Sequence, residues 1–355
     1  MTRETTPLII RLDQAGIPLN EHDTAASPEV PWFVRLLQAF SGWLAALFLL
    51  GFIGLGAMSV VESSTASMGL GIAMIVAAFA LLRAARSDVL EHLALAVSLV
   101  GQLLVAWAWV MVWETSAYLW WPLLGLQVVL ALVMPSLVHR SFSAFAASLA
   151  LYMALAMSAL DQAASGLVLL ALTLFWLNEF RWPRHIRSVQ AWGYGLLVGL
   201  LVLQGVAHVG QPLLIQFESH STGTGGWVAP WLNTIVLALT LALLLQRVFK
   251  TQPRHWSVFV GVAALLLMSL YVPMVVQGVV VMLLGVAIGH RLLMGLGVLS
   301  LLVGMGSYYY WLDTTLLIKA LTLLVIGVLS FVLRWVLRKS LRVWHGAITP
   351  REPRS

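Results

Sequence analysis

Apolar stretches long enough to cross a bilayer recur from residue 40 to residue 334, separated by short connections of alternating charge character. Crossing the hydrocarbon core takes about 20 mostly apolar residues, roughly 17–25. On that criterion the first half holds spans near 40–61, 67–82, 92–111, 118–138, 142–160 and 164–178. The second half holds spans near 190–209, 230–247, 257–272, 274–289, 292–311 and 315–334. The expected fold is an all-α, polytopic transmembrane helical bundle of about 12 helices, with 10–12 compatible with the pattern. The spans at 67–82 and 164–178 are short, and Pro273 either separates two helices or kinks one re-entrant element.

The charges test this reading. With the N-terminus inside and twelve crossings, nineteen of the 20 Lys and Arg residues fall on the cytoplasmic side. Arg83 and Arg86, Arg140, the Arg181–Arg184–Arg187 group, Arg247 with Lys250 and Arg254, and Arg291 mark successive inner connections. The opposite connections carry Glu62, Glu114, Asp161, Glu218 and Asp313 and no basic residue. Translocated loops poor in Lys and Arg facing inner loops rich in them are the positive-inside pattern. Both termini are therefore expected in the cytoplasm of a cell with a bacterial-type inner membrane.

Composition excludes the alternatives. Charged residues make up 10% and hydrophobic residues 61% of the chain, and the mean hydropathy is +0.94. A soluble domain has about a quarter of its residues charged. The net charge of +6 and pI near 10.0 would suggest a nucleic-acid partner in a soluble protein. Here the basic residues sit in short clusters between apolar runs, so lipid and not nucleic acid is the expected partner. Cysteine is absent, which excludes disulfides, thiolate catalysis and iron–sulfur clusters. No cofactor is expected.

Residues 1–39 form a short cytoplasmic segment, 40–334 the membrane domain and 335–355 a basic cytoplasmic tail. The start carries Glu4, Asp13, Glu21, Asp23 and Glu29 and lacks a basic n-region with an apolar core, so insertion is expected to begin with the span near Trp43. Pro7 to Ile17 can form a short amphipathic helix, with Leu8, Leu12 and Ala15 on one face resting on the membrane or on cytoplasmic loops. Trp113, Trp120, Trp121, Trp182, Trp227, Trp231, Trp256, Trp311 and Trp335 lie near span ends, where indoles favour the interface. Trp107 and Trp109 lie deeper and are expected to pack against neighbours or lipid. No internal repeat emerges, which weakens a transporter reading.

Lys319 stands apart as the one basic residue left inside a span, six positions beyond Asp313. A charge near the bilayer centre costs about 2.5–3.5 kcal/mol on insertion scales, so it is a candidate counter-ion, proton relay or anion site. The competing reading is structural. At 1.5 Å rise per residue, Lys319 lies ~6–9 Å below the outer boundary, from where its stem can snorkel to headgroups. Gln102, Gln127, Gln204 and Gln277 lie within spans and are expected to make interhelical hydrogen bonds. Gly195 with Gly199, and Gly285 with Gly289, have the small-xxx-small spacing of close helix contacts. His139, His185, His255 and His290 sit among cytoplasmic basic residues and read as interfacial groups or anionic-lipid contacts. His208, Glu218 and His220 form a weak metal-site candidate. Ser219 to Gly226 lacks the ending of a phosphate loop. Neither HExxH nor GxSxG occurs, and no nucleophile–base constellation is legible.

Tyr308-Tyr309-Tyr310-Trp311-Leu312-Asp313-Thr314-Thr315-Leu316-Leu317-Ile318-Lys319 resembles the closing motif of a bacterial membrane-protein family known only as a domain of unknown function. Pro31-Trp32, Ser41-Gly42-Trp43-Leu44-Ala45-Ala46 and Gly51-Phe52-Ile53-Gly54 are similar to its first span. The resemblance implies a polytopic inner-membrane protein, often encoded beside a second membrane-associated protein, with Tyr309, Asp313 and Lys319 acting together. It implies no activity. Three functions are compatible, in this order: a non-enzymatic component or partner subunit of an envelope complex, a small-solute or lipid transporter or channel using Lys319, and an integral-membrane enzyme.

Overall fold

In an apolar layer no water satisfies backbone N–H and C=O groups, so a single crossing segment must pair them internally as a helix. The chain does so throughout the part described by its computed structural model. That part comprises residues 58–84, 88–113, 117–158, 160–181, 183–209, 228–249 and 256–311, with single positions between 33 and 56 and between 315 and 331. The short α1 (Met58–Glu62) leads into α2 (Ser64–Ala84) and α3 (Asp88–Trp113). There follow α4 (Trp120–Val133), α5 (Leu137–Ala156), α6 (Asp161–Leu177) and α7 (Ile186–Val209). Next come α8 (Val228–Phe249), α9 (Trp256–Tyr271), α10 (Pro273–Ile288) and α11 (Arg291–Trp311). No strand occurs among the described residues. The fold is an all-helical membrane bundle: Ser64–Ala84, Leu90–Trp113 and Ile186–Val206 are long and apolar enough to cross a membrane, and the shorter helices are also apolar.

Chain punctuation explains the boundaries. Pro273 occupies the first turn of α10, where its missing N–H costs nothing; it separates two helices and does not kink one. The span expected at 118–138 ends earlier, at Val133, and α5 begins at Leu137. The reason is Pro135, which cannot continue the α4 hydrogen-bond ladder, and Ser136, whose hydroxyl caps α5 by accepting the His139 N–H at 3.4 Å. His139 and Arg140 are thereby carried into the first turn of α5 and out of the connecting loop. The α10–α11 turn is closed by Gly289, at φ 76°. Its N–H bonds Val286 O at 3.2 Å while His290 N–H bonds Gly285 O at 2.9 Å, a left-handed helix ending that glycine adopts without steric cost.

Glycines set the interhelical distances. A Cβ added at Gly278, Gly285, Gly297 or Gly304 would lie 2.5–2.9 Å from backbone atoms of Leu301, Met294, Met282 and Met274 respectively. The reversed order of those partners makes α10 and α11 an antiparallel hairpin in near-backbone contact along its length. Gly71 and Gly101 meet reciprocally, each virtual Cβ 2.7 Å from the other's carbonyl oxygen, and they join α2 to α3. Gly195 and Gly199 approach Ser141 and Ser148 in the same order, so α5 and α7 run parallel. Their expected packing role holds. Gly285 also packs, but Gly289 meets nothing within 4 Å; it is the turn residue and not part of a packing stripe.

Three apolar clusters result among the described residues, the smallest at Val272 and Val275 with Met268 and Met305. The largest joins α5 to α11 around Trp176, Leu169, Leu197, Leu237 and Leu284. A separate one ties α2 to α3 through Ala96, Val100 and Leu104 packed by Leu70 and Met74. Outside, Leu103, Val129, Leu132, Ile235, Leu267 and Leu302 are exposed. Helical positions Phe33, Leu37, Phe40, Leu44, Phe48, Phe52 and Leu55 are exposed as well, and their three- and four-residue steps form one apolar stripe. These are the surfaces a lipid environment covers.

Replacing Gly278 or Gly285 by Val should destabilise the bundle by about 1–3 kcal/mol, because a side chain there meets backbone that cannot yield. Gly295→Ala, at a position with nothing within 4 Å, should leave the melting temperature in detergent equal or higher. Equal tolerance at all three positions would contradict the hairpin geometry.

Candidate functional site

The polar atoms that cannot face lipid gather between helices. The densest group joins α3, α4 and α5. Ser98 and Gln102 stand one turn apart on α3, and His139 and Ser143 stand one turn apart on α5, so each pair shares a helix face. Ser98 Oγ lies 2.7 Å from His139 Nε2. Gln102 Nε2 donates to Ser98 Oγ at 3.1 Å and lies 3.4 Å from His139 Nε2. From α4, Gln127 Nε2 donates to Gln102 Oε1 at 2.8 Å. The other ring nitrogen, His139 Nδ1, lies 3.2 Å from Ser143 Oγ. Ser98 and Ser143 are fully buried and His139 is 1% exposed.

Donor and acceptor rules fix the order of this seam. An amide nitrogen only donates and Gln102 Nε2 faces His139 Nε2 as well as Ser98 Oγ, so His139 Nε2 is the acceptor and Ser98 turns its single proton to it. The ring then carries its own proton on Nδ1, toward Ser143. Hydrogen bonds run one way, Gln127 to Gln102 to Ser98 to His139 to Ser143, across three helices. Gln127 Oε1, at the head of the series, is buried without a partner. At the ends of the helices the seam meets charge. Ser136 Oγ donates to Glu91, while Arg140 reaches Met134 O and the Ser188 hydroxyl of α7.

A second layer binds α6, α7, α10 and α11. Gln204 Nε2 donates to Met274 O at 3.0 Å, and Gln204 Oε1 accepts from Ser300 Oγ at 2.9 Å. Gln277 Nε2 donates to Ser165 Oγ at 2.7 Å. All four intramembrane glutamines thus tie helices together, as expected. Near the other end of α6, Trp176 packs against Tyr194 and His290 at 5.4 and 5.3 Å between ring centroids. His290 Nδ1 accepts from Leu293 N at 3.2 Å and caps α11, so Nε2 carries the proton and donates to the Tyr194 hydroxyl at 3.2 Å. Glu179, 4% exposed, accepts from Gln190 Nε2 at 2.6 Å.

Several expectations change. His139 is no interfacial or lipid-contacting group, because Pro135 restarts the helix early enough to turn it into the bundle. His290, half-buried in the α10–α11 turn, caps α11 and packs at a tilt against Trp176 and Tyr194. His185 is exposed, in keeping with an interfacial position, and His255 lies outside the described residues. A serine–histidine pair does exist at the separation of a nucleophile and its base, contrary to the sequence reading. Yet both residues are buried and the second ring nitrogen faces a hydroxyl, not a carboxylate, so the arrangement is a clasp between helices. Tyr309 lies in the last turn of α11, 38% exposed. Asp313 and Lys319 lie outside the described residues, as do Glu218 and His220 of the metal candidate. Trp107 Nε1 donates to Val61 O at 2.9 Å and Trp109 stacks on Trp113 at 6.1 Å, packing against neighbours as expected. Ser98, Ser143, Glu91 and Glu179 were not singled out by sequence; the i, i+4 polar pairs at Ser98/Gln102 and His139/Ser143 are the signal that could have found the first two.

Truncating Ser98 to Ala leaves His139 Nε2 and the Gln102 amide facing each other without their hydroxyl bridge. The expected loss is about 1–3 kcal/mol of stability, read as a lower melting temperature in detergent. Gln102→Leu and Gln127→Leu should prove non-additive in a double-mutant cycle, whereas additive losses would show that the two amides are not coupled.

No curated protein and no solved structure matches the chain. A family model, described as a domain of unknown function (DUF4401), matches residues 31–340. With that match reaching from the first apolar stripe to beyond the last, the chain belongs to the DUF4401 family.

Proposed function

We infer that this protein is a non-enzymatic, multi-pass component of a bacterial-type inner membrane, serving as a partner subunit of an envelope complex. The observation that carries the reading is the use made of the buried polar side chains. Gln102, Gln127, His139, Gln204 and Gln277 are engaged with groups on neighbouring helices. A bundle whose intramembrane polar groups fasten its own helices suits a scaffold. Its surface supports a partner role, since exposed apolar side chains run along the outside of the described helices.

The orientation in this proposal follows the basic residues: residues 1–39 and 335–355 in the cytoplasm, and 40–334 in the bilayer. Lys319, with Asp313 and Tyr309, is assigned a structural and not a transport role; Lys319 and Asp313 lie outside the described residues. Lipid is the first partner and a second membrane protein the next.

Crosslinking in native membranes should recover a stable second protein with the full chain. Recovery of the chain alone, after crosslinking and in mild detergent, would sink the partner reading. Lys319→Met should lower accumulation without touching any solute flux. A variant that inserts and accumulates normally but loses a substrate-dependent flux would replace the scaffold with a transporter.

A further inference from the structure

The seam at α3, α4 and α5 has one atom out of place, and that atom suggests a second state. Gln127 Oε1 is a buried acceptor with nothing to accept, on a residue 8% exposed. An amide can present either its oxygen or its nitrogen by turning half a revolution about its last bond. Two such amides stand in series here, Gln127 on Gln102 at 2.8 Å, and Gln102 on both Ser98 and His139.

We propose that this seam is a proton-binding site: a proton taken up at His139 Nε2 turns both glutamine amides, so that charge at α5 is read out at Gln127 on α4. In the resting arrangement Nε2 accepts from Ser98 and has the Gln102 N–H group 3.4 Å away. A proton arriving at Nε2 from water forms one N–H bond and makes the ring a cation. That N–H then meets the Gln102 N–H donor to donor, and the one oxygen left to accept it, Ser98 Oγ, already accepts from Gln102. Turning Gln102 places its Oε1 before the Nε2 proton, where the Ser98 hydroxyl can also donate. Its nitrogen then faces the nitrogen of Gln127, so Gln127 must turn as well. The oxygen now without a partner becomes the acceptor for Gln102, and the seam ends on an amide N–H where it had ended on a carbonyl oxygen. The unpartnered atom is the acceptor that the second state uses.

The surroundings permit such a change. The buried apolar residues of α2–α3 form their own cluster, apart from the α5–α11 core, so directional bonds and not one continuous apolar core join the two parts. The charged and titratable groups near the ring are few. Glu91 on α3 is held by Ser136, and His92 follows it in sequence. Arg140 on α5 turns toward Met134 O and Ser188. No titratable residue occurs in α4, and α7 presents Ser188 and the Ala191 carbonyl to the first turn of α5.

The test uses the full chain in lipid nanodiscs, with nitrogen-15 in the His ring and the Gln side-chain amides, followed by magnetic resonance from about pH 4 to about pH 9. The ring nitrogens of His139 and the amide signals of Gln102 and Gln127 should move with one common midpoint. Gln102→Met should cut the line of communication: His139 still titrates, and the pH-dependent shift at Gln127 is lost. His139→Gln should abolish the shift at both amides. Three outcomes overturn the proposal: a ring that keeps one protonation state across the range, amides that stay still while the ring titrates, or Gln127 signals that follow pH in the Gln102→Met protein. The first two need only the unaltered chain, so a variant that fails to fold does not protect the idea.

Discussion

Close approach of glycine backbones is the constraint on which the rest of the bundle depends. Between helices surrounded by lipid, apolar side chains gain little by leaving one apolar medium for another, so packing contact and hydrogen bonds must hold the helices together. The α10–α11 hairpin meets that demand with glycines seven residues apart on each helix, Gly278 and Gly285 against the backbone of Leu301 and Met294, and Gly297 and Gly304 against that of Met282 and Met274. The reciprocal Gly71–Gly101 contact does the same for α2 and α3. Helices drawn this close leave no room for a side chain at the points of contact. Buried polar atoms are therefore obliged to find one another.

That obligation explains where polarity and charge lie. The buried polar groups among the described residues are mostly amides and hydroxyls, with the His139 imidazole in the first turn of α5, and a hydrogen bond offsets the cost of burying each one that makes it. Glu179, Arg140 and Glu91 sit near helix ends, where Gln190, Ser188 and Ser136 bond them. Asn233 Oδ1 has no N–H or O–H partner, yet it lies against Gly166, where a Cβ would collide with it. The glycine Cα–H that takes the place of that Cβ is a weak donor. Close glycine contact and polar satisfaction are in this case one device.

The sequence was most legible where physics is summed over many residues. Helix number and approximate span positions follow from apolar length, and the four glutamines follow from the cost of an amide in an apolar layer. It was least legible where a single residue redirects the chain. Pro135 ends α4 several residues before the apolar run ends, and that shift moves His139 from an expected inner loop into the core. The basic neighbour Arg140 made the loop assignment attractive, although its guanidinium only spans the helix ends. The glycines of α10 and α11 were half legible. A search at four-residue spacing pairs Gly285 with Gly289, but antiparallel helices at a shallow crossing meet once every two turns, so the operative spacing is seven. The cluster of Tyr309, Asp313 and Lys319 was prominent in the sequence because charge inside an apolar run is rare. The seam at His139 escaped notice because none of its members is unusual alone.

Where a protein joins its parts by apolar packing, the joint has one best fit and resists change. Where it joins them by a series of directional bonds, the joint has as many states as the series has consistent orderings. Here the α2–α3 cluster and the α5–α11 core are separate, and the Gln127–Gln102–Ser98–His139–Ser143 series lies between them. The bonds of this series hold the joint where apolar side chains would gain little by leaving lipid for each other. The series leaves one acceptor, Gln127 Oε1, unused, so a second ordering of the same bonds is open to it. The rigid glycine-packed hairpin and the polar joint therefore divide the bundle into a part that holds its shape and a part with two ways of being satisfied.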